Sequence, residues 1–390
     1  MKVETPAAPE GERNREVKQP TFPFLDLKAQ FSSIRDEVMA AVVRVMESQH
    51  FILGGEVLTC EKELAHYIGS KYAISCASGS DALLLSLMAL DVGQGAEVIT
   101  TPFTFVATVA AIVRLGARPV FVDIDADSFN IEAGQIERAI SPKTRAIIPV
   151  HLFGLSAEMQ PIMNIAAARS IPVVEDAAQA IGARYSERPV GTMGAFGCFS
   201  FFPSKNLGGA GDGGLVTTHD PVLADRLKVL RTHGSRTKYT YEVLGVNSRL
   251  DALQAAILRV KLPHLDIWNR CRRLNAAQYC ALFAERGLNE KVRVPVVPPD
   301  RFHVYNQFVI RVEQRDQLKH HLQQSGIPTE IYYPSPLHTQ PAFAHLGYKK
   351  GDLPESEAAS QQVLALPIFP ELTAAQQRRV VAAIADFYGV

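Results

Sequence analysis

Between residues 97 and 175, four short runs rich in β-branched side chains, Glu97–Thr101, Pro119–Val122, Ala146–Val150 and Ile171–Glu175, are separated by segments of helical character. This alternation constrains the fold more than any other feature of the chain. Strands that follow one another across an intervening helix pair in parallel and bury both faces. The expected class is α/β, a mostly parallel sheet with helices on both sides. Ligands of such sheets bind beyond the carboxyl ends of the strands, so the polar residues that close these runs are the first to inspect for chemistry.

Lys71–Cys76 reads as another strand, followed by the small-residue turn Ala77-Ser78-Gly79-Ser80-Asp81 and an apolar helix from Ala82 to Leu90. Upstream, Ile34, Val38, Val42 and Val45 have helical spacing, with Ser33 and Asp36 placed as a capping box. Gly54-Gly55 should end that helix, and Val57–Tyr67 should form a second one before Gly69. Past Leu262-Pro263, a long helix carrying Leu265, Trp268, Leu274 and Tyr279 leads into a smaller α+β lobe. Its expected strands are 306–312 and 328–333, and its expected helices are 314–325, 355–364 and 373–387. The expected organisation is a disordered tail at 1–20, a large domain at 21–262 and a small domain at 263–390.

With 390 residues, 47% of them hydrophobic, the chain can bury a large core, and its 40 basic and 40 acidic residues cancel. Nothing in that balance favours nucleic acid or an anionic membrane as a partner. Five cysteines without a Cys-x-x-Cys pair fit a reducing cytoplasm. The scattered histidines make no metal-ligand cluster, and no metal is expected.

The chemistry centres on Gly194–Gly214, where an apolar run, Phe196–Phe202, meets Ser204-Lys205-Asn206 and a glycine cluster that turns the chain into Leu215–Thr218, an antiparallel edge pairing. A lysine in a dry, closely approached pocket is suited to forming a Schiff base. Asp176 closes the run Ile171–Glu175 and would point into the same crevice. A carboxylate there can keep the ring nitrogen of pyridoxal phosphate protonated so that the ring acts as an electron sink. The turn at Gly79-Ser80 opens a helix, where unpaired N–H groups favour a phosphate; Ser78 or Ser80 could equally be a simple cap. Phe103 and Phe105 follow the strand Glu97–Thr101, and either could be core or lie over a planar ring. His151, closing Ala146–Val150, is a possible substrate contact or a structural residue. Gln179 is placed to donate to the phenolic oxygen of the cofactor.

These stretches, above all Glu175-Asp176-Ala177-Ala178-Gln179 and Ser200-Phe201-Phe202-Pro203-Ser204-Lys205-Asn206-Leu207-Gly208, resemble the DegT/DnrJ/EryC1/StrS family of pyridoxal-phosphate-dependent sugar aminotransferases, from about Phe24 to about Tyr388. The resemblance implies fold type I, with a mostly parallel seven-stranded sheet in the large domain, and a homodimer with shared active sites. It makes Lys205 the catalytic lysine. Gly79, Ser80 and Ser200 become phosphate ligands, Phe105 the stacking ring, and Asp176 and Gln179 cofactor contacts. In Gly245-Val246-Asn247-Ser248-Arg249-Leu250 it assigns Asn247 to the cofactor phosphate of the neighbouring subunit and Arg249 to the shared site, whereas spacing alone would make Asn247 or Ser248 a cap for a helix from Leu250 to Val260. Tyr332, Tyr333 and His338, in an aromatic, proline-stiffened stretch, are expected to line a sugar pocket; many family members have histidine where Tyr332 stands. The implied reaction is transamination of a nucleotide-linked keto sugar, with a lean to 3-keto hexoses. Glutamate would be the donor, and the cofactor would cycle through pyridoxamine phosphate. The alternatives are a sugar dehydratase, against which Lys205 argues, and a regulatory protein that keeps the fold.

Overall fold

The computed structural model describes residues 21–390, so the expected tail at 1–20 lies outside the described residues. Helices α1 (Leu27–Ser48) and α2 (Gly54–Ile68) precede strand β1 (Tyr72–Cys76), which is followed by α3 (Gly79–Ala89), β2 (Glu97–Thr100), α4 (Val106–Arg114) and β3 (Arg118–Phe121). The chain continues through α5 (Ala133–Ala139), β4 (Thr144–Ile147), α6 (Met159–Ala168), β5 (Val174–Asp176), β6 (Phe196–Ser200), β7 (Gly214–Thr218), α7 (Pro221–Leu230) and α8 (Ala252–Lys261).

Strand β2 pairs in parallel with β3 and β4, β5 pairs in parallel with β6, and parallel bridges at Ile147–Val173 and Val150–Asp176 join β4 to β5. The result is a seven-stranded sheet in the order β3-β2-β4-β5-β6-β7-β1. Only β7 runs against the others, antiparallel to both β6 and β1. It is an interior strand, not the expected edge, because β1 occupies its far side and leaves its own outer side as the sheet margin.

Alternation along the strands sends successive side chains to opposite helical layers. Val174, Phe196, Cys198 and Val216 pack with residues of α3, α4 and α7, whereas Val173, Phe199 and Leu215 pack with α2, α6 and α8. Both faces are covered, as a parallel sheet requires.

Two helix boundaries differ from the sequence expectation. Helix α1 begins well before the Ser33–Asp36 box, because Asp26 already caps it by accepting from the Ala29 N–H at 2.9 Å. Ser33 instead donates to the Gln30 carbonyl within the helix. Gln49 ends α1 in the left-handed region at φ 56°, and Gly54-Gly55 open α2 instead of closing α1.

Beyond α9 (Leu265–Glu285), β8 (Phe308–Arg311) pairs antiparallel with β9 (Val363–Leu366). Helices α10 (Arg315–Gln324), α11 (Pro354–Gln362) and α12 (Ala374–Tyr388) complete the C-terminal part. Tyr279, Phe283, Phe308, Leu364, Val380 and Ile384 share one core there. β9 falls where the sequence suggested the end of a helix. Val363–Leu366 is buried throughout, and such a run has no period to distinguish strand from helix. The expected strand 328–333 reduces to a single bridge, Glu330–Ala365.

The N-terminus of α11 is capped from the large sheet. Asp123, just past β3, accepts from the Glu355 and Ser356 N–H groups at 2.9 Å each and from the Ser356 hydroxyl at 2.5 Å. Asp123→Ala leaves those buried donors without a partner and should cost about 2 kcal/mol or more of unfolding free energy in a denaturant titration.

Candidate active site

β5 ends with two adjacent carboxylates whose environments differ completely. Glu175 is fully buried, and its Oε1 accepts from the Met193 and Gly194 N–H groups while Oε2 accepts from Gly191 N–H, all at 2.7 Å, and from His151 Nε2 at 3.0 Å. Desolvation would raise its pKa, but the bonds from His151 and the backbone outweigh it and the carboxyl lies below its usual range. Asp176 points to the opposite side, where Oδ2 accepts from Thr108 Oγ1 at 2.8 Å and Oδ1 from Ala178 N–H at 3.2 Å. Burial dominates there and raises its pKa despite those bonds and the opposing charge of Lys205. A buried anion with spare lone pairs is a fitting partner for a protonated ring nitrogen.

A candidate cradle for a phosphate forms where α3 meets the carboxyl end of β6. A Cβ on Gly79 would stand 2.6 Å from the Ser200 Cβ and 3.2 Å from its hydroxyl, so only glycine lets the helix approach this strand. Gly214 lies as tightly against the Ser78 carbonyl. Ser78 is the cap of α3, accepting from Asp81 N–H at 3.1 Å, so the capping and phosphate readings coexist: the cap leaves the N–H groups of Gly79 and Ser80 at the helix mouth beside the Ser200 hydroxyl.

Lys205 sits on a tight turn closed by hydrogen bonds from Gly209 N–H to the Phe201 carbonyl and from Lys205 N–H to the Phe202 carbonyl. Three side chains hold that turn. Asn206 donates to the Asn269 Oδ1 at 2.6 Å and the Val304 carbonyl at 3.0 Å, Gln254 accepts from Ala210 N–H at 2.8 Å, and Lys261 Nζ donates to the Gly208 carbonyl at 2.7 Å. Desolvation pulls the Lys205 pKa down to about 8, against the opposing pull of the Asp176 carboxylate. An appreciable share of free amine near neutral pH is what a nucleophile and proton carrier needs.

Phe103 is buried in the core, whereas Phe105, the residue before α4, keeps 57% of its surface exposed one turn from Thr108. Gln179 accepts from Phe153 N–H at 2.7 Å, and its amide faces the Tyr333 hydroxyl at 3.3 Å. Tyr333 therefore reaches the cleft from the C-terminal part; Tyr332 packs edge-on against it and is half-buried.

His151 takes the structural alternative, and His338, expected to line a sugar pocket, is likewise a buried strut. His151 is fully buried, and its Nδ1 accepts from Ala157 N–H, which places the ring proton on Nε2, directed at Glu175. His338 is 1% exposed, bonded to Glu357 and packed between Phe121 and Tyr348, so it anchors the C-terminal part to the sheet. Asn247 is exposed and Arg249 half-buried. Neither Asn247 nor Ser248 caps α8. Asp251 does so, accepting from Gln254 N–H, while Ser248 donates to Asp81 and accepts from Ala77 N–H at the start of α3.

Thr108, Glu175, Gln254 and Lys261 support the site without having been singled out in the sequence. Thr108 lies in the first turn of α4, four residues after Thr104, which precedes the helix. A separate cavity of about 860 Å³ is lined by Glu63, Glu187 and Asp266 together with Arg184 and Arg259, and it shares Asn269 with the support of the Lys205 turn.

Residues 32–385 match the model of the DegT/DnrJ/EryC1/StrS aminotransferase family. The chain is 51% identical to the pleiotropic regulatory protein of Geobacillus stearothermophilus, covering 94% of this chain and 98% of that one. It is 46% identical to the UDP-N-acetyl-3-dehydro-alpha-D-glucosamine 3-aminotransferase of Acidithiobacillus ferrooxidans, covering 93% and 97%. Among solved structures, S. venezuelae DesV in complex with a ketimine intermediate superposes with a TM-score of 0.91 at 44% identity, covering 95% of this chain and 99% of that one.

In the ligand-free protein, acetylation of Lys205 by limiting reagent, followed by peptide mass spectrometry, should rise with pH to a midpoint near 8. Asp176→Asn should move that midpoint down, because the carboxylate it removes favours the charged amine.

Proposed function

The chain belongs to the DegT/DnrJ/EryC1/StrS aminotransferase family, and we propose that it moves the amino group of glutamate onto the 3-keto carbon of a nucleotide-linked hexose, using pyridoxal phosphate. The observation that carries this reading is the convergence of Lys205, Asp176 and the Gly79–Ser200 cradle at the carboxyl ends of β5 and β6. The 3-keto preference is supported by the activity named for the A. ferrooxidans relative.

Pyridoxal phosphate, when bound, supplies an electron sink for carbanionic charge. Gly79, Ser80 and Ser200 would hold its phosphate, Asp176 would face its ring nitrogen, and Phe105 would cover its ring. Lys205 Nζ would hold the cofactor in the resting protein; as a free amine it would take the proton from the donor Cα and give it up again within the same half reaction, and it would carry a proton the opposite way in the second. The kinetics are then ping-pong. Tyr333 and Gln179 border the side on which substrate enters.

The site is completed by a second copy of the chain, and the protein works in the cytoplasm. Two exposed apolar surfaces support the dimer. On α1, Leu27, Phe31, Met39, Val43 and Met46 stay between 39% and 47% exposed while the opposite face packs on α8. Just before Asn247, Tyr239, Tyr241 and Leu244 are 77%, 64% and 92% exposed. In this arrangement Asn247 reaches the phosphate in the partner and Arg249 lines the shared cleft. No described helix is long and apolar enough to cross a membrane.

A regulatory reading, suggested by the name of the G. stearothermophilus relative, leaves the depressed Lys205 and the glycine-dependent cradle without a use.

Borohydride reduction of the cofactor-loaded protein should fix the label on the Lys205 peptide alone. The enzyme loaded with pyridoxamine phosphate should aminate 3-keto nucleotide sugars and leave 4-keto isomers unchanged, read by mass spectrometry. Mixing Lys205→Ala chains with chains carrying both Asn247→Ala and Arg249→Ala should restore activity, since one site of a mixed dimer then has neither defect. Verified mixed dimers that stay inactive would exclude shared sites.

A further inference from the structure

We propose that Thr104 and Thr108 form a one-way hydroxyl relay that keeps Asp176 ionised, which makes Thr108 a positioning residue for the transamination. The inference rests on the reading above that Asp176 faces the ring nitrogen of pyridoxal phosphate.

Both threonines are buried, at 2% and 1% exposure. Their hydroxyl oxygens stand 3.0 Å apart, and Thr108 Oγ1 lies 2.8 Å from Asp176 Oδ2. A carboxylate has no proton to give, so Thr108 must donate to it. That spends the one hydroxyl proton of Thr108, and the proton between the two threonines must therefore come from Thr104. The polarity of the chain is thus fixed toward Asp176 whenever Asp176 is an anion.

The relay matters because burial pushes Asp176 toward its neutral form. Its described hydrogen-bond donors are Thr108 and the Ala178 N–H at 3.2 Å. A protonated Asp176 would donate where it should accept, and it could not hold a positive charge on the ring nitrogen. Threonine inside a helix often returns its hydroxyl to a carbonyl of the preceding turn. Thr108 sends its hydroxyl out of the helix to the carboxylate. Thr104, Phe105 and Thr108 also share the entry to α4, so the segment that presents the exposed ring also sets the charge opposite it.

The test compares Thr108→Val, Thr108→Ser, Thr104→Val and Asp176→Asn. Each ligand-free protein is titrated with ¹⁵N-labelled pyridoxal phosphate, and the dissociation constant and the ring-nitrogen chemical shift are measured against pH. Thr108→Val should move the shift toward the unprotonated value and slow the donor half reaction about tenfold or more with little change in KM. Thr108→Ser should restore both, and Thr104→Val should fall between. A wild-type shift and rate in Thr108→Val, beside a strongly impaired Asp176→Asn, overturns the relay. A wild-type Asp176→Asn overturns the reading of Asp176 and the inference with it. Should Thr108→Val fail to fold, Thr104→Val decides: a displaced nitrogen shift supports the relay and an unchanged one overturns it.

Discussion

The structure depends on one buried carboxylate, Glu175. Its four accepted hydrogen bonds tie the end of β5 to the Gly191–Gly194 segment that leads into β6, and to His151 beyond β4. Leaving even one of these groups without a partner in a dry interior costs as much as several ordinary contacts contribute. The bonds therefore hold the path by which the chain enters β6. That path places Ser200 against Gly79 and sets where the Lys205 turn begins. Because side chains alternate along a strand, anchoring Glu175 on one face leaves Asp176 on the other, toward the cleft.

The Lys205 turn is held from outside in the same manner. Asn206, Gln254 and Lys261 connect it to Val304, α8 and α9, and each bond is to a backbone group of the turn or from its one buried amide. The Lys205 amine is thus carried on a short loop with little freedom, while its nitrogen is kept poorly solvated. Rigidity of the support and a depressed pKa arise from one cause, burial of the loop against the helices. The contacts at Asp123 and His338, with the Leu337 N–H donating to the Pro102 carbonyl, bring the C-terminal part onto the sheet, so that Tyr333 meets Gln179.

Much of this was legible in the residues. Strands alternating with helices, the acid at the end of a buried run, the glycine-flanked lysine and the small-residue turn all express local rules that a sequence displays directly. The sequence left His151 open and pointed His338 at the sugar pocket, because a histidine looks the same whether its nitrogens face a cleft or are consumed inside the core. β9 was missed because a fully buried run has no alternation. The caps at Asp26 and Asp251 were missed in favour of serines and an asparagine nearby, since several capping side chains lay within reach of each helix start and local spacing does not choose among them.

The sequence by itself determined the α/β class and the family and drew attention to Lys205 and Asp176, since these follow from periodicity, strand ends and contiguous motifs. Only the tertiary structure decided which side chains support them. Thr108 meets Asp176, Lys261 meets Gly208 and Asp123 caps α11 across separations of 68, 53 and 232 residues, measured to Glu355 in the last case. Such pairings are set by how layers pack, and no local pattern encodes them. The same holds for the charge on a buried group: its residue type is written in the chain, but its pKa depends on the solvent and donors that packing leaves around it.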